Sequence, residues 1–147
     1  MMFKKALLAG CLTLTSLPGL AHSEDSGSVT EREVVSAYVE AYNERDLEAM
    51  LALMHDEVQW LSVEGDSVAV FANGKADLAS QMRDYMASPL ATESEIDAGV
   101  TDGNFVAVRE IARWNNAAGE QREQSALAVY EIEGGLVRRV WYYPTTR

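Results

Sequence analysis

Cysteine is all but missing. The one cysteine of the 147-residue chain is Cys11, inside an N-terminal stretch with the layout of a secretory leader. After export the chain is therefore expected to have neither a disulfide nor thiol chemistry. Histidine is scarce too, since His22 shares that stretch and His55 stands alone beyond it. A histidine-based metal site is not expected, and no run of carboxylates has the spacing of a calcium loop. Glycines do not gather into a phosphate-cradling loop or a dinucleotide fingerprint, and no nucleophile motif is written in the chain. These absences argue for a protein without metal or cofactor.

Lysine is the next shortage: Lys4 and Lys5 precede the apolar run, and only Lys75 follows it. What is abundant is acid. The formal net charge is -11, and removal of the leader with its two lysines takes it to -13. Such acidity argues against nucleic acid or an anionic membrane as partner. The length suits one domain, and 48% hydrophobic residues suffice for an ordinary core.

The leader reads MMFKKALLAGCLTLTSLPGLAHS, with two lysines, an apolar run from Ala6 to Leu17, Pro18-Gly19, and small residues at Ala21 and Ser23. Residues 1–23 are expected to be a signal peptide cut after Ser23 or Ala21, which places the protein in the periplasm or outside the cell. Two alternatives stay open. A membrane anchor would use the uncharged stretch from Ala6 to Ser23, although Pro18 and several polar groups interrupt it. Lipidation at Cys11 would use Leu8-Ala9-Gly10-Cys11, although few apolar residues separate that box from Lys5. Stable membrane insertion after cleavage is not expected.

Residues 24–29 read as a flexible segment, and the domain is expected over 30–147. Thr30 with Glu33 forms a capping box, with Val29 and Val34 placed as a hydrophobic staple. Val34, Val35, Tyr38, Val39 and Tyr42 then line one face of a first helix. Asn43-Glu44-Arg45 ends it, Asp46 caps a second, and Leu47, Met50, Leu51 and Met54 give that short helix its apolar stripe. Val58 to Leu61 and Val68 to Ala72 read as short strands. Asn73-Gly74 opens a third helix, which Ser88-Pro89 stops. From Thr92 the pattern is strands: up to Val100, a hairpin at Asp102-Gly103-Asn104, Phe105 to Trp114, Gln121 to Ile132, and Leu136 to Tyr143. The order is three helices threaded with two short strands, followed by a four-strand antiparallel meander, which is α+β.

That order, with VVSAYVEAYNERDLEAMLALMHDEVQW, NGKADLASQMRDYM and the closing GGLVRRVWYY, resembles the nuclear transport factor 2-like superfamily and its SnoaL-like, ketosteroid-isomerase-like branch. The resemblance spans Thr30 to Tyr143. It implies a cone-shaped α+β barrel, cystatin-like, in which three helices pack on a curved, mainly antiparallel sheet whose open end holds a small molecule. It also implies a homodimer paired sheet to sheet. The break at Asn43 to Asp46 would then fold the second helix back over the cone, with Trp60 entering the sheet beside it.

Tyr38 falls where ketosteroid isomerases carry the tyrosine that donates to the substrate oxyanion. The bland reading is a core tyrosine with a backbone partner. The isomerase's two acids do not carry over: they would fall near Leu61 or Ser62 and near Ala128, and Glu64 and Asp66 sit in a turn that could lie in solvent. Glu110 shares a strand face with Val106, Val108, Ala112 and Trp114, so it is a buried acid with a raised pKa, a solvated one if that face is exposed, or a partner of an arginine such as Arg139. Glu123 is a weaker acid candidate, near a strand start. Arg109, Arg113, Arg138 and Arg139 either pair with the many acids or receive an anion. The candidate catalytic residues are Tyr38 and Glu110, and the candidate ligand contacts are Tyr38, Trp60, Trp114, Tyr130 and Trp141. On one register Gln124, Ala126, Ala128, Tyr130 and Ile132 face inward, and the two alanines leave space.

Three functions fit. The first is an exported SnoaL-like protein whose pocket binds a small, largely apolar molecule. The second is a cofactor-independent isomerase, dehydratase or cyclase using Tyr38 and Glu110. The third is a dimeric interaction module without ligand.

Overall fold

The structure is a computed structural model that describes residues 29–145. The signal peptide with its cleavage sites, Cys11, and residues 24–28 of the flexible segment lie outside the described residues.

Helix α1 (Glu31–Asn43) starts where the capping box puts it. The Glu33 N–H donates to Thr30 Oγ1 at 3.3 Å and the Thr30 N–H donates to Glu33 Oε2 at 2.7 Å, so two otherwise unpaired donors are satisfied reciprocally. The staple does not form as expected, because Val29 is 64% exposed while Val34 is buried. The predicted stripe of Val34, Val35, Tyr38, Val39 and Tyr42 is the buried face, joined by Ala41.

The chain reverses at Glu44 to Asp46. Arg45 takes a left-handed backbone (φ 62°), an unfavourable state for a residue with a side chain. Its guanidinium compensates by donating to the carbonyls of Thr92 (2.8 Å) and Ala91 (3.1 Å) and lying over the Tyr42 ring. Asp46 then caps α2 (Leu47–Ala52) by accepting from the Ala49 N–H. This helix is shorter than its apolar spacing predicts. Met54 satisfies the helical stripe but pairs with Val137 instead, drawn into the sheet by the Val137 N–H donating to the Leu53 carbonyl.

Strand β1 (Met54–Glu64) is thus longer than expected. It turns into β2 (Ser67–Asn73), and Gly74, with φ 95°, opens α3 (Lys75–Met86). Four strands follow: β3 (Glu93–Asp102), β4 (Phe105–Asn115), β5 (Gln121–Glu133) and β6 (Leu136–Pro144). They form the expected antiparallel meander, and β1 joins it parallel to β6, giving the order β2-β1-β6-β5-β4-β3. The sheet is open and does not close into a barrel, with β2 and β3 as its edges.

The inner face is built in rows. Val106, Tyr130, Val140, Trp60 and Ala72 lie side by side across five strands, all buried, under α1. The next row holds Val108, Ala128, Tyr142 and Ser62, and the next Ile96, Glu110, Ala126 and Pro144. Valine and aromatic side chains fill most of the first row, whereas the later rows set Ser62, Ala128, Ala126 and Glu110 beside Val108, Ile96 and Tyr142. The core therefore closes at one end and leaves space at the other.

Candidate active site

Glu110 lies on the inner face of β4 and is only 8% exposed. The alternative in which it pairs with Arg139 is not realised, since Arg139 bonds Glu131 and Gln59. Burial raises its carboxyl above the usual carboxylate range, while hydrogen bonds from Ser94 and Tyr130 pull the other way without cancelling it. The Tyr130 hydroxyl donates to Glu110 Oε2 at 2.9 Å. The Tyr142 hydroxyl lies 3.4 Å from that of Tyr130 and 3.5 Å from that of Tyr38. One chain of oxygens thus runs from Tyr38 on α1 through Tyr142 on β6 and Tyr130 on β5 to Glu110 on β4. Burial pushes all three phenols well above their ordinary pKa, so they stay protonated at neutral pH.

Two cavities meet at this chain. One of about 330 Å³ opens between α1, α3 and the sheet, walled by Tyr38, Trp60, Phe71, Met82 and Tyr85, with Glu110 and Tyr142 on its floor. The other, of about 240 Å³, lies between β4, β5 and β6 beside Gln124, Ala126 and Pro144. Glu110, Ala112 and Tyr142 line both. The walls are mainly aromatic and apolar, with a few convergent polar groups, as ligand pockets usually are. Trp60 packs edge-on to Tyr38 and stacks on Phe71, and its buried indole N–H has no hydrogen-bond partner among the described residues.

At the mouth, the Tyr42 and Tyr85 hydroxyls both lie within hydrogen-bond distance of Thr92 Oγ1, at 2.7 and 3.0 Å. The two rings stack, and Arg45 ties the following loop to the α1–α2 turn.

Of the residues singled out from sequence, Tyr38, Trp60, Tyr130 and Glu110 come together. Trp114 does not join them. It continues the face of Glu110 but borders a separate groove with Leu90 and Asn116. Trp141 faces the other way, against Phe105 and Arg139, because Val140 and Tyr142 take the inward positions on β6. Tyr142, Phe71, Met82, Tyr85 and Ser94 were missed as pocket residues. Strand alternation from Val140 could have found Tyr142, once one inward residue of β6 was known.

The positions of the isomerase acids hold none: Leu61 faces outward opposite Trp141, Ser62 lies opposite Tyr142, and Ala128 is fully buried. Glu64 and Asp66 are exposed. The arginines pair with acids, Arg109 with Asp97, Arg113 with Glu95 and Glu123, and Arg138 with Glu57 and Glu133. No cluster of three or more His, Cys, Asp or Glu placed to hold a metal ion occurs among the described residues.

An open α+β sheet packed on the first helix, with a cavity beside it, has a nuclear transport factor 2-like, cystatin-like fold. A family profile described as SnoaL-like domain matches residues 35–140, and the chain belongs to that family. Its fold is shared by an LEH-like epoxide hydrolase of M. tuberculosis (19% identity, TM-score 0.66, covering 78% of this chain and 82% of that one). It is shared by an uncharacterized cystatin-fold protein from Novosphingobium aromaticivorans (25%, 0.64, covering 78% and 98%). A protein of ketosteroid isomerase-like fold from Catenulispora acidiphila, in complex with trimethylamine, is a third (12%, 0.64, covering 78% and 86%). No curated protein matches the chain significantly.

Proposed function

We propose that this SnoaL-like domain binds a small, largely apolar molecule at the wide end of the cone. The observation that carries this reading is the cavity of about 330 Å³ whose aromatic walls, Tyr38 among them, converge on the Glu110–Tyr142 floor. A cone filled by its own side chains would have argued for the interaction module. The leader supports action in the periplasm or outside the cell. Native mass spectrometry of the protein exported with its own leader and gently purified tests the reading. A retained small molecule supports it, while a clean apo mass together with capture of a partner protein favours the module. The denatured mass locates the cleavage site or reveals a lipid on Cys11.

A second reading, cofactor-independent proton-transfer chemistry, is favoured by one observation: Glu110 points into the cavity that Tyr38 also lines. A buried, raised carboxyl suits a general acid or base. Turnover of the retained molecule that is lost in Glu110→Gln would establish it.

Pairing of two copies is supported by the outer face. Val100, Ala107, Val129, Trp141, Leu61 and Val70 form an apolar row across all six strands. Leu127 and Tyr143 in the next row are 48% and 41% exposed. Sedimentation equilibrium is expected to give a dimer for the native chain and a monomer for Leu127→Asp.

A further inference from the structure

The oxygen chain has a countable proton inventory. Five groups, Tyr38, Tyr142, Tyr130, Glu110 and Ser94, are joined by four links. With Glu110 ionised, the three phenol protons and the serine proton fill the four links, every one turned toward the carboxylate: Tyr38 to Tyr142, Tyr142 to Tyr130, and Tyr130 and Ser94 to Glu110. With Glu110 neutral there are five protons for four links. One must then point out of the chain. Tyr130 lies behind the cavity floor, and the other four members line the cavity, so the surplus donor faces the ligand.

We propose that Glu110, through this chain, sets the hydrogen-bonding sign of the pocket: as a neutral acid it makes the floor a donor to a carbonyl ligand, and as a carboxylate it makes the floor an acceptor. This rests on the cavity being a ligand site.

The surroundings leave Glu110 in control. The titratable groups facing it are Tyr38 from α1, Tyr130 from β5 and Tyr142 from β6, while β3 contributes the hydroxyl of Ser94. Tyr85 from α3 and Tyr42 from α1 stand at the mouth, bonded to Thr92. Arg109 and Arg113, its neighbours along β4, lie on the opposite face and are paired with Asp97 and Glu95. Among the described residues no arginine or lysine lines either cavity. No cation there holds the carboxyl ionised, and its burial outweighs the hydroxyl bonds from Ser94 and Tyr130 that favour the ionised form.

Three small probes of one shape separate the possibilities: indane, with no polar group; 1-indanone, an acceptor only; and 1-aminoindane, which as its ammonium ion is a donor only. Their affinities are measured by calorimetry from about pH 4 to about pH 9. Indanone is expected to bind about tenfold tighter than indane at the acid end, and to lose that advantage as Glu110 ionises. Aminoindane is expected to gain over the same interval. Glu110→Gln, which keeps a donor without a titration, is expected to hold the ketone preference at every pH. Tyr130→Phe leaves Tyr38 and Tyr142 with two protons for one link, so the ketone advantage is expected to survive above the carboxyl's ionisation.

A ketone-to-indane ratio that is flat with pH in the native protein overturns the proposal while leaving the pocket intact. So does a pH dependence unchanged in Tyr130→Phe, which would mean that Glu110 acts on the ligand directly and not through the chain. Failure of indane itself to bind overturns the pocket reading and the proposal with it.

Discussion

The hydroxyl of Tyr130 reaches the carboxyl of Glu110 at 2.9 Å although the two residues lie two ladder rows apart, Tyr130 opposite Val106 and Glu110 opposite Ala126. The row between them belongs on β5 to Ala128, which is fully buried and carries only a methyl group. A tyrosine lying along the sheet passes that row only if the intervening side chain is small. Ala128 is thus the residue that lets the oxygen chain form, which accounts for one of the two inward alanines.

Ala128→Leu is therefore expected to do two things. Overpacking destabilises the fold by about 1–3 kcal/mol, measured by urea unfolding. It also displaces Tyr130 from Glu110, so the carboxyl, deprived of a donor, rises further. Carboxyl-labelled NMR reads that rise, and an unchanged Glu110 titration in a destabilised protein would show that the tyrosine does not need the gap.

Stability should fall with rising pH on account of Glu110. Its folded carboxyl binds a proton more tightly than the unfolded one. Between the ordinary carboxylate value and the raised folded value, the folded state therefore holds more protons. This contribution is fully present below the unfolded pKa and is lost as pH rises through the folded pKa. Glu33 and Asp77 act oppositely, since hydrogen bonds from Thr30 and from Asn73 lower their carboxyls, and their contributions are lost as pH falls. In Glu110→Gln the loss on the alkaline side is expected to vanish while the acid limb stays. Urea midpoints across the pH range check this.

Much of the fold could be read from local signals. The capping box, the α1 stripe, Pro89 after α3 and the turn at Gly103 each fix a boundary within a few residues. What local signals misjudged was decided by distant partners. Met54 satisfies a helical stripe, yet the backbone bond from Val137 to Leu53 takes it into β1. The site was half legible for a similar reason. Trp141, Tyr142 and Tyr143 stand in a row, and only the inward setting of Val140 decides that Tyr142 alone of the three enters the pocket. Glu110 was legible because a carboxylate among Val106, Val108 and Ala112 breaks an apolar alternation.

Gly99 predicts a cost that its backbone angle does not. A Cβ there would come within 2.8 Å of Val108 Cγ1 and of the Arg32 guanidinium, and 2.9 Å from the Ala107 carbonyl oxygen. The arginine can swing aside, but the strand backbone cannot. Gly99→Ala is expected to cost about 1–3 kcal/mol in urea unfolding and to raise amide exchange along the β3–β4 ladder. Gly103→Ala should be milder: nothing lies within 4 Å of its added Cβ, and only its φ of 57° opposes the change.

Arg45 separates strain from anchoring. Its left-handed backbone costs about 1–2 kcal/mol, and its side chain holds the Ala91 and Thr92 carbonyls beside the Tyr42–Tyr85–Thr92 cluster. Arg45→Gly removes the anchor and relieves the strain, whereas Arg45→Ala removes the anchor and keeps it. The alanine variant is expected to be less stable than the glycine variant by about 1 kcal/mol, a difference that isolates the backbone term. Both should show faster amide exchange at Thr92, because that loop loses its guanidinium bonds in either case. Equal stabilities would show that the turn relaxes out of the left-handed region once the arginine is gone, and that the side chain holds the backbone there. The position would then be kept for the cavity mouth it braces and not for the turn it makes.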